Sequence, residues 1–406
     1  MKNNKLIASL IAMSLVATSL IACGGGSASK ATSDNANNSN QAIVSANNAG
    51  TIKFGVFEPQ TGENGGGGLQ EVFGIRFANQ LYKTITVGGK EYTIELDEVD
   101  NKSDKTEAVN AANKLVRDKV VGVLGSYGSG VSIAAGEFFR DAKIPAIGCS
   151  CTNPQVTNGN DFYFRTCFLD PFQGTVMANY AKKNGYTKVA VITQLGDDYS
   201  EGLGNFFIKA CDELKIEVVG TEKFQTNEQD FRSILTNIKA KDPQFIFAPS
   251  SIASAPLILE QAKELGITCQ IGGGDTWENG TIIENAHGAA EGMVLTTFYD
   301  EKSQPTEEGT KFVNGFKEYL TSIKQPDIIP AVSALGYDAY LALYKAIELA
   351  DSLDGEAIRD ALTKLSYVGV TGDISFDSNG DAKKNAAYIK EVKDGEFVFK
   401  EITKLD

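Results

Sequence analysis

Residues 120–154 read VVGVLGSYGSGVSIAAGEFFRDAKIPAIGCSCTNP. Val120 to Leu124 is a short apolar run of the size and composition of a buried strand. Gly125-Ser126-Tyr127-Gly128-Ser129-Gly130 interrupts it with turn residues. Ser132 to Asp141 reads as a helix, and Ile144 to Ile147 is a second buried strand. Strand, helix and strand in so short a span form the βαβ unit of a parallel sheet.

The same alternation extends in both directions. Upstream, Ile52 to Phe57 reads as strand, Leu69 to Leu81 as a helix with apolar residues at 69, 72, 73, 77 and 81, and Tyr92 to Val99 as strand. Lys105 to Arg117 is helical, with Val109, Ala112, Leu115 and Val116 on one face. Downstream the spacing predicts helices over 172–184, 201–214, 231–240 and 253–265, between strands at 188–193, 217–219, 245–248 and 269–271. A further strand at 292–297 precedes helices at 307–323, 331–350 and 356–365. The chain then ends in short strands, with Lys393-Asp394-Gly395 marking a hairpin. The fold class is α/β, with two doubly wound, Rossmann-like lobes.

Composition narrows the function. The 406 residues suffice for two domains, and 42% hydrophobic with 22% charged residues is an ordinary globular balance. There is one histidine, His287, which excludes a multi-histidine metal site and leaves hydrolytic chemistry without its usual base. His287 reads as a residue at a helix end. With 38 basic against 52 acidic residues and a formal charge of −14, the attraction that drives nucleic-acid binding is absent. No metal and no cofactor is expected.

Residues 1–22 read as a signal peptide: Lys2 and Lys5, an apolar stretch from Leu6 to Ala22, then Leu20-Ile21-Ala22-Cys23-Gly24. That ending resembles the lipobox of bacterial lipoproteins, which makes Cys23 the lipidated first residue of a membrane-anchored chain; a transmembrane anchor is the alternative. Residues 23–50, rich in Gly, Ser, Ala and Asn, read as a disordered tether. The remaining cysteines, at 149, 151, 167, 211 and 269, are expected free or buried, with Cys151 and Cys167 the one short loop a disulfide could close.

Ligands of open α/β sheets sit beyond the carboxyl ends of the strands. The segments there are Gly125–Gly130, with Tyr127 and Ser129; Gly148–Pro154, with Ser150 and Thr152; Asp197–Ser200, with Tyr199; Pro249-Ser250-Ser251; and Gly272–Trp277, with Asp275 and Trp277. Hydroxyls and exposed N–H groups favour an anion and Asp275 a cation, so a zwitterion satisfies both. The duller readings are that Ser129 and Thr152 cap helices, Asp275 is a turn residue, Tyr199 lies at a rim and Trp277 is core. Gly65–Gly68 lacks the Gly-Lys-Ser/Thr of a phosphate loop and reads as a flexible loop.

From Ile52 to Lys400 the chain resembles the type I periplasmic binding proteins of the leucine/isoleucine/valine-binding kind, the extracytoplasmic receptors of ABC importers. The resemblance rests on Ile52-Lys53-Phe54-Gly55-Val56, on Phe162-Tyr163-Phe164-Arg165-Thr166, on Asp170 with Gln173-Gly174, and on Val189-Ala190-Val191-Ile192 before Tyr199-Ser200-Glu201-Gly202-Leu203. Asp230-Phe231, Gln261-Ala262 with Leu265-Gly266, Ala290-Glu291-Gly292, Gly336-Tyr337-Asp338-Ala339 and Gly369-Val370-Thr371-Gly372 follow in order.

What the resemblance implies is a monomeric clamshell with a three-segment hinge, its lobes formed by 51–169 with 298–367 and by 170–297 with 368–406. It implies an amino-acid ligand of branched or other aliphatic kind, delivered to a permease. The carboxylate falls to Ser129 and Thr152, the ammonium to Asp275 and the Ser150 carbonyl, and Tyr199 closes from the second lobe. Ser250-Ser251 departs from the aromatic pair many members carry, and Glu58-Pro59-Gln60-Thr61 lacks a tyrosine some use. A sensor of the same fold for another small polar molecule is the alternative.

Overall fold

The computed structural model describes residues 48–302 and 306–404. The signal peptide, Cys23 and the tether as far as residue 47 lie outside the described residues. Six strands form the first sheet: β1 (Asn48–Glu58), β2 (Thr84–Val87), β3 (Lys90–Asp100), β4 (Gly122–Leu124), β5 (Ala146–Gly148) and β6 (Tyr163–Arg165), in the order β2-β3-β1-β4-β5-β6. β2 pairs antiparallel with β3 and every other pairing is parallel. β1 begins inside the segment read as tether, because Asn48 and Thr51 find partners on β3.

The helices α1 (Gly65–Leu81), α2 (Lys105–Arg117) and α3 (Ser129–Asp141) connect these strands. α2 starts where Asp104 accepts hydrogen bonds from the N–H groups of Thr106 and Glu107 at 2.8 and 2.9 Å, a cap contributing about 1 kcal/mol. α3 is capped by Gly128, with Ser129 in its first turn and no side-chain cap. Thr152 caps nothing either, so neither hydroxyl is spent on a helix end.

Gly65–Gly68 is not a loop but the first turn of α1, with Gly65, Gly67 and Gly68 buried. Its neighbours leave no room for a side chain: a Cβ on Gly67 would come within 2.3 Å of the Tyr127 ring, and one on Gly68 within 2.0 Å of the Pro59 carbonyl. Packing, not flexibility, selects these glycines.

After β6 the chain leaves this sheet and builds α4 (Asp170–Lys183), β7 (Lys188–Gln194), α5 (Asp198–Leu214), β8 (Glu217–Phe224), α6 (Arg232–Lys239), β9 (Phe245–Phe247), α7 (Ala255–Glu264), β10 (Gln270–Gly273), α8 (Gly280–Asn285) and β11 (Val294–Thr297). It then returns with α9 (Glu307–Ser322), α10 (Ala331–Ala350) and α11 (Gly355–Leu362), of which α10 packs along α1. Gly74 and Gly336 bring those two helices together: a Cβ on either would meet the Ser333 or Glu71 carbonyl at 1.9 or 2.4 Å.

A two-stranded ribbon, β12 (Ser366–Gly369) with β13 (Gly372–Ser375), leads back to the second sheet, which β14 (Ala386–Lys393) and β15 (Glu396–Lys404) complete in the order β15-β14-β11-β10-β9-β7-β8. Asp394 and Gly395, both at positive φ, turn β14 into β15 as the Asp-Gly pair requires. The chain thus passes three times between the two halves. All five described cysteines are free, so Cys151 and Cys167 are not joined. Among the described residues no helix is long and apolar enough to cross a membrane.

Candidate functional site

Each candidate side chain lies just past the carboxyl end of a strand. Tyr127 and Ser129 follow β4, Ser150 and Thr152 follow β5, Tyr199 opens α5 after β7, Ser251 follows β9, and Asp275 and Trp277 form a short 3₁₀ turn after β10. All eight are buried.

In the second half, Asp275 is the centre of a closed set. Its Oδ1 accepts hydrogen bonds from the Tyr199 hydroxyl and from Gln173 Nε2, both at 2.9 Å. Gln173 also donates to Thr296 Oγ1 at 2.7 Å, which fixes the amide. Thr276 Oγ1 donates to the Ser250 carbonyl at 2.8 Å and Trp277 Nε1 to Ser250 Oγ at 3.2 Å. Trp277 packs on Gly273 and Ser250 of its own half, and so shapes the Asp275 turn from behind. Burial pushes the Asp275 carboxyl up to about 6, against the two hydrogen bonds that pull it down. Its hydrogen-bond partners, Gln173 and Tyr199, are neutral, so it is a carboxylate in want of a cation.

In the first half, Ser129 Oγ accepts the Asn153 N–H at 3.2 Å, which joins the start of α3 to the loop after β5. Thr152 is buried, and its hydroxyl faces the wholly buried Asp170 carboxyl, which burial holds well above its ordinary range. Arg165 fixes this loop from below: wholly buried, it donates to the Cys151 and Asn153 carbonyls at 2.6 and 2.7 Å, either side of Thr152, and pairs with Asp381 at 2.6 Å.

Two carboxyl groups that the sequence reading did not select lie beneath these loops. Glu58, at the end of β1, accepts the Tyr127 N–H at 2.7 Å, and Glu71, on the buried face of α1, accepts from the Ser150 hydroxyl. With Cys149 they offer three ligand-type atoms within 4.8 Å of one another. Burial raises Glu71 to about 7 and Glu58 well above its ordinary range, so near neutral pH the pair retains a proton that one carboxyl can donate to the other. The signal in the sequence was one acid among the buried positions 72, 75 and 78 of α1.

The halves meet around the site. Gln194 Nε2 donates to both oxygens of Glu63 at 3.0 and 2.9 Å, the Ala253 N–H to the Glu63 carbonyl at 3.2 Å, and the Ile252 N–H to Asn64 Oδ1 at 3.1 Å. Asn153 Nδ2 donates to the Asp198 carbonyl at 2.7 Å, and Lys105 pairs with Asp198 at 2.7 Å. His287 is far less constrained: 74% exposed, it sits beyond α8 beside Glu260 at 2.9 Å. A cavity of about 220 Å³ lies at the passages between the halves, lined by Cys167, Phe168, Phe298, Thr371 and Lys384.

Two α/β halves, each with its own sheet, bring their polar strand-end loops together, the place where open sheets hold small solutes. Residues 51–396 match the periplasmic binding protein family model, and the chain belongs to that family. It is 28% identical over 337 residues to the leucine-, isoleucine-, valine-, threonine- and alanine-binding protein of Pseudomonas aeruginosa, a match covering 82% of this chain and 88% of that one. Among solved structures it is similar to a leucine-binding protein LivK from Thermotoga maritima, with a TM-score of 0.82 and 36% identity over 87% of this chain and 99% of that one. It is also similar to the branched-chain amino acid transporter substrate-binding protein LivJ from Streptococcus pneumoniae in complex with isoleucine, with a TM-score of 0.79 and 29% identity over 87% and 100% of the two chains. The fold is that of the type I periplasmic binding proteins, as expected.

Proposed function

We propose that the protein is the substrate-binding component of an ABC importer and that it holds an α-amino acid between its halves without chemical change. One observation carries the reading: a buried acid with neutral partners, Asp275, stands in the second half, while two buried hydroxyls, Ser129 and Thr152, stand together in the first. An ammonium answers the first and a carboxylate the second. Names of the relatives that bind amino acids support the same ligand class.

Binding begins on Ser129, Thr152 and the first-turn N–H groups of α3, whose dipole favours an anion. Closure of 170–297 with 368–406 onto 51–169 with 298–367 brings Asp275 and Tyr199 over the ammonium and excludes water. The ligand interacts with both halves only in the shut state, so it draws the equilibrium there. The shut form is delivered to the permease. Signal cleavage before Cys23 and a lipid on that cysteine keep the receptor near its transporter, through a tether that ends at β1.

Ligand-stripped protein is expected to gain melting temperature with one or more of the twenty common amino acids. A response to aromatic monocarboxylates alone, or to none of these compounds, would remove the amino-acid reading. A sensory receptor would bind the same ligand but would not support uptake when reconstituted with a permease and ATPase.

A further inference from the structure

We propose that the cavity at the three passages between the halves is a second binding site, for a small monocarboxylate with an apolar tail. Its volume of about 220 Å³ falls below the roughly 300 to 1,000 Å³ of sites for drug-sized ligands, so its occupant is small. Every passage supplies part of the wall. Phe168 comes from the first, after β6, Phe298 from the second, after β11, and Lys384 from the third, between β13 and β14. The Phe168 and Phe298 rings lie 4.3 Å apart, centroid to centroid, and with Leu335 of α10 they form the apolar part of the wall.

The charged part of the wall is positive. Lys383, Lys384 and Lys404 line the cavity against one acid, Asp373, in a chain whose formal charge is −14. Lys384 is half-buried and donates to the Thr371 carbonyl and hydroxyl at 2.9 and 3.0 Å, which leaves its ammonium one N–H to give. No carboxylate forms an ion pair with it among the described residues. Asp338 stands behind Thr371, whose N–H and hydroxyl it accepts at 2.8 and 2.7 Å. Burial lowers the Lys384 ammonium from its ordinary value against the attraction of Asp338, as it does for a cation short of an anion. Lys383 and Lys404 are exposed and form no ion pair among the described residues, so they mark the mouth of the cavity. A zwitterion would set its ammonium against these lysines. A monocarboxylate meets Lys384 with its charge and the Phe168, Phe298 and Leu335 side chains with its tail. Because the wall joins all three passages in the form whose halves meet, an occupant favours that form and, by linkage, tightens the hold of the cleft on its own ligand.

Butyrate and butyramide share a skeleton and differ in charge, which makes the comparison direct. Isothermal titration of the ligand-stripped protein at pH 7.5 is expected to give about tenfold or tighter binding of butyrate over butyramide. Lys384→Met keeps the length of the side chain without its charge, and Ala386→Leu fills the cavity from the start of β14; each is expected to weaken butyrate binding by about tenfold or more. L-Leucine is expected to bind about threefold tighter in saturating butyrate than without it. Equal binding of the two compounds, or binding of neither, would overturn the inference, as would butyrate binding unchanged in both folded variants. Mutual exclusion of leucine and butyrate would place butyrate in the cleft and overturn it as well. An unchanged leucine affinity would overturn the coupling to closure. Leucine that fails to bind would count against the aliphatic amino-acid reading and not against the cavity, which the butyrate comparison reads by itself.

Discussion

Replacing Asp275 by Asn keeps the shape of the side chain and the acceptor for Tyr199 and Gln173, and removes the charge. Two opposite effects follow from one observation. The carboxyl is pushed from an ordinary value of 3.8 to about 6 by burial, so the folded state holds its proton more tightly than the unfolded state does. Stability therefore falls as pH rises from about 4 to about 6, and above that range the ionised carboxylate costs the ligand-free protein about 3 kcal/mol, at about 1.4 kcal/mol per pH unit. Asp275→Asn lifts that cost and is expected to raise the ligand-free melting temperature at pH 7.5 by several degrees. It also leaves the ligand ammonium buried without its counter-charge, a loss of about 2 to 5 kcal/mol, which is roughly 30-fold to 5,000-fold in affinity. Differential scanning fluorimetry and titration on the same two preparations read both. A variant less stable than the parent without ligand, or one that binds within threefold of the parent, would refute the reasoning.

Three further outcomes are expected. Affinity for the amino acid should fall as pH drops through 6, about tenfold between pH 7 and 5, because protonated Asp275 cannot pair with an ammonium; a flat titration profile over that range would contradict it. Gly67→Ala forces a methyl to within 2.3 Å of the Tyr127 ring, and the overpacking should cost about 1 to 3 kcal/mol in denaturant unfolding and weaken ligand binding; an unchanged midpoint would mean that Tyr127 is free to move. Lys390→Met leaves Glu278 buried without the ammonium 2.5 Å away, and should cost about 3 to 5 kcal/mol at neutral pH, with partial recovery in Lys390→Met/Glu278→Gln.

The alternation of elements was legible because period and length settle it: α10 occupies 331–350 as the spacing predicts, and the Asp394-Gly395 turn falls where an Asp-Gly pair should place it. Strand-end reasoning reached Asp275 and Tyr199, which the structure joins by a hydrogen bond, since the topology of an open sheet localises its loops before any contact is known. What stayed hidden depends on packing between distant segments. Gly65–Gly68 looks like a breaker locally and becomes a helix turn only because Tyr127 and Pro59 press against it. β2 and β6 are four and three residues long and carry too little pattern to announce themselves. Gln173, Glu63 and Glu71 are ordinary polar residues on helix or loop, and their meaning comes from what burial places opposite them.

The three passages between the halves also govern the order in which the molecule can be made. The second sheet is framed by β7 to β11 but closed by β14, whose Tyr388 and Ile389 pair with Thr297 and Thr296 across some ninety intervening residues, and β15 comes last of all. Such long-range pairing must close a large loop before any contact rewards it, so it is slow. During synthesis that sheet cannot finish until nearly the whole chain has left the ribosome. Such late closure leaves the second sheet open for most of synthesis, a property that suits a chain whose family acts outside the cytoplasm.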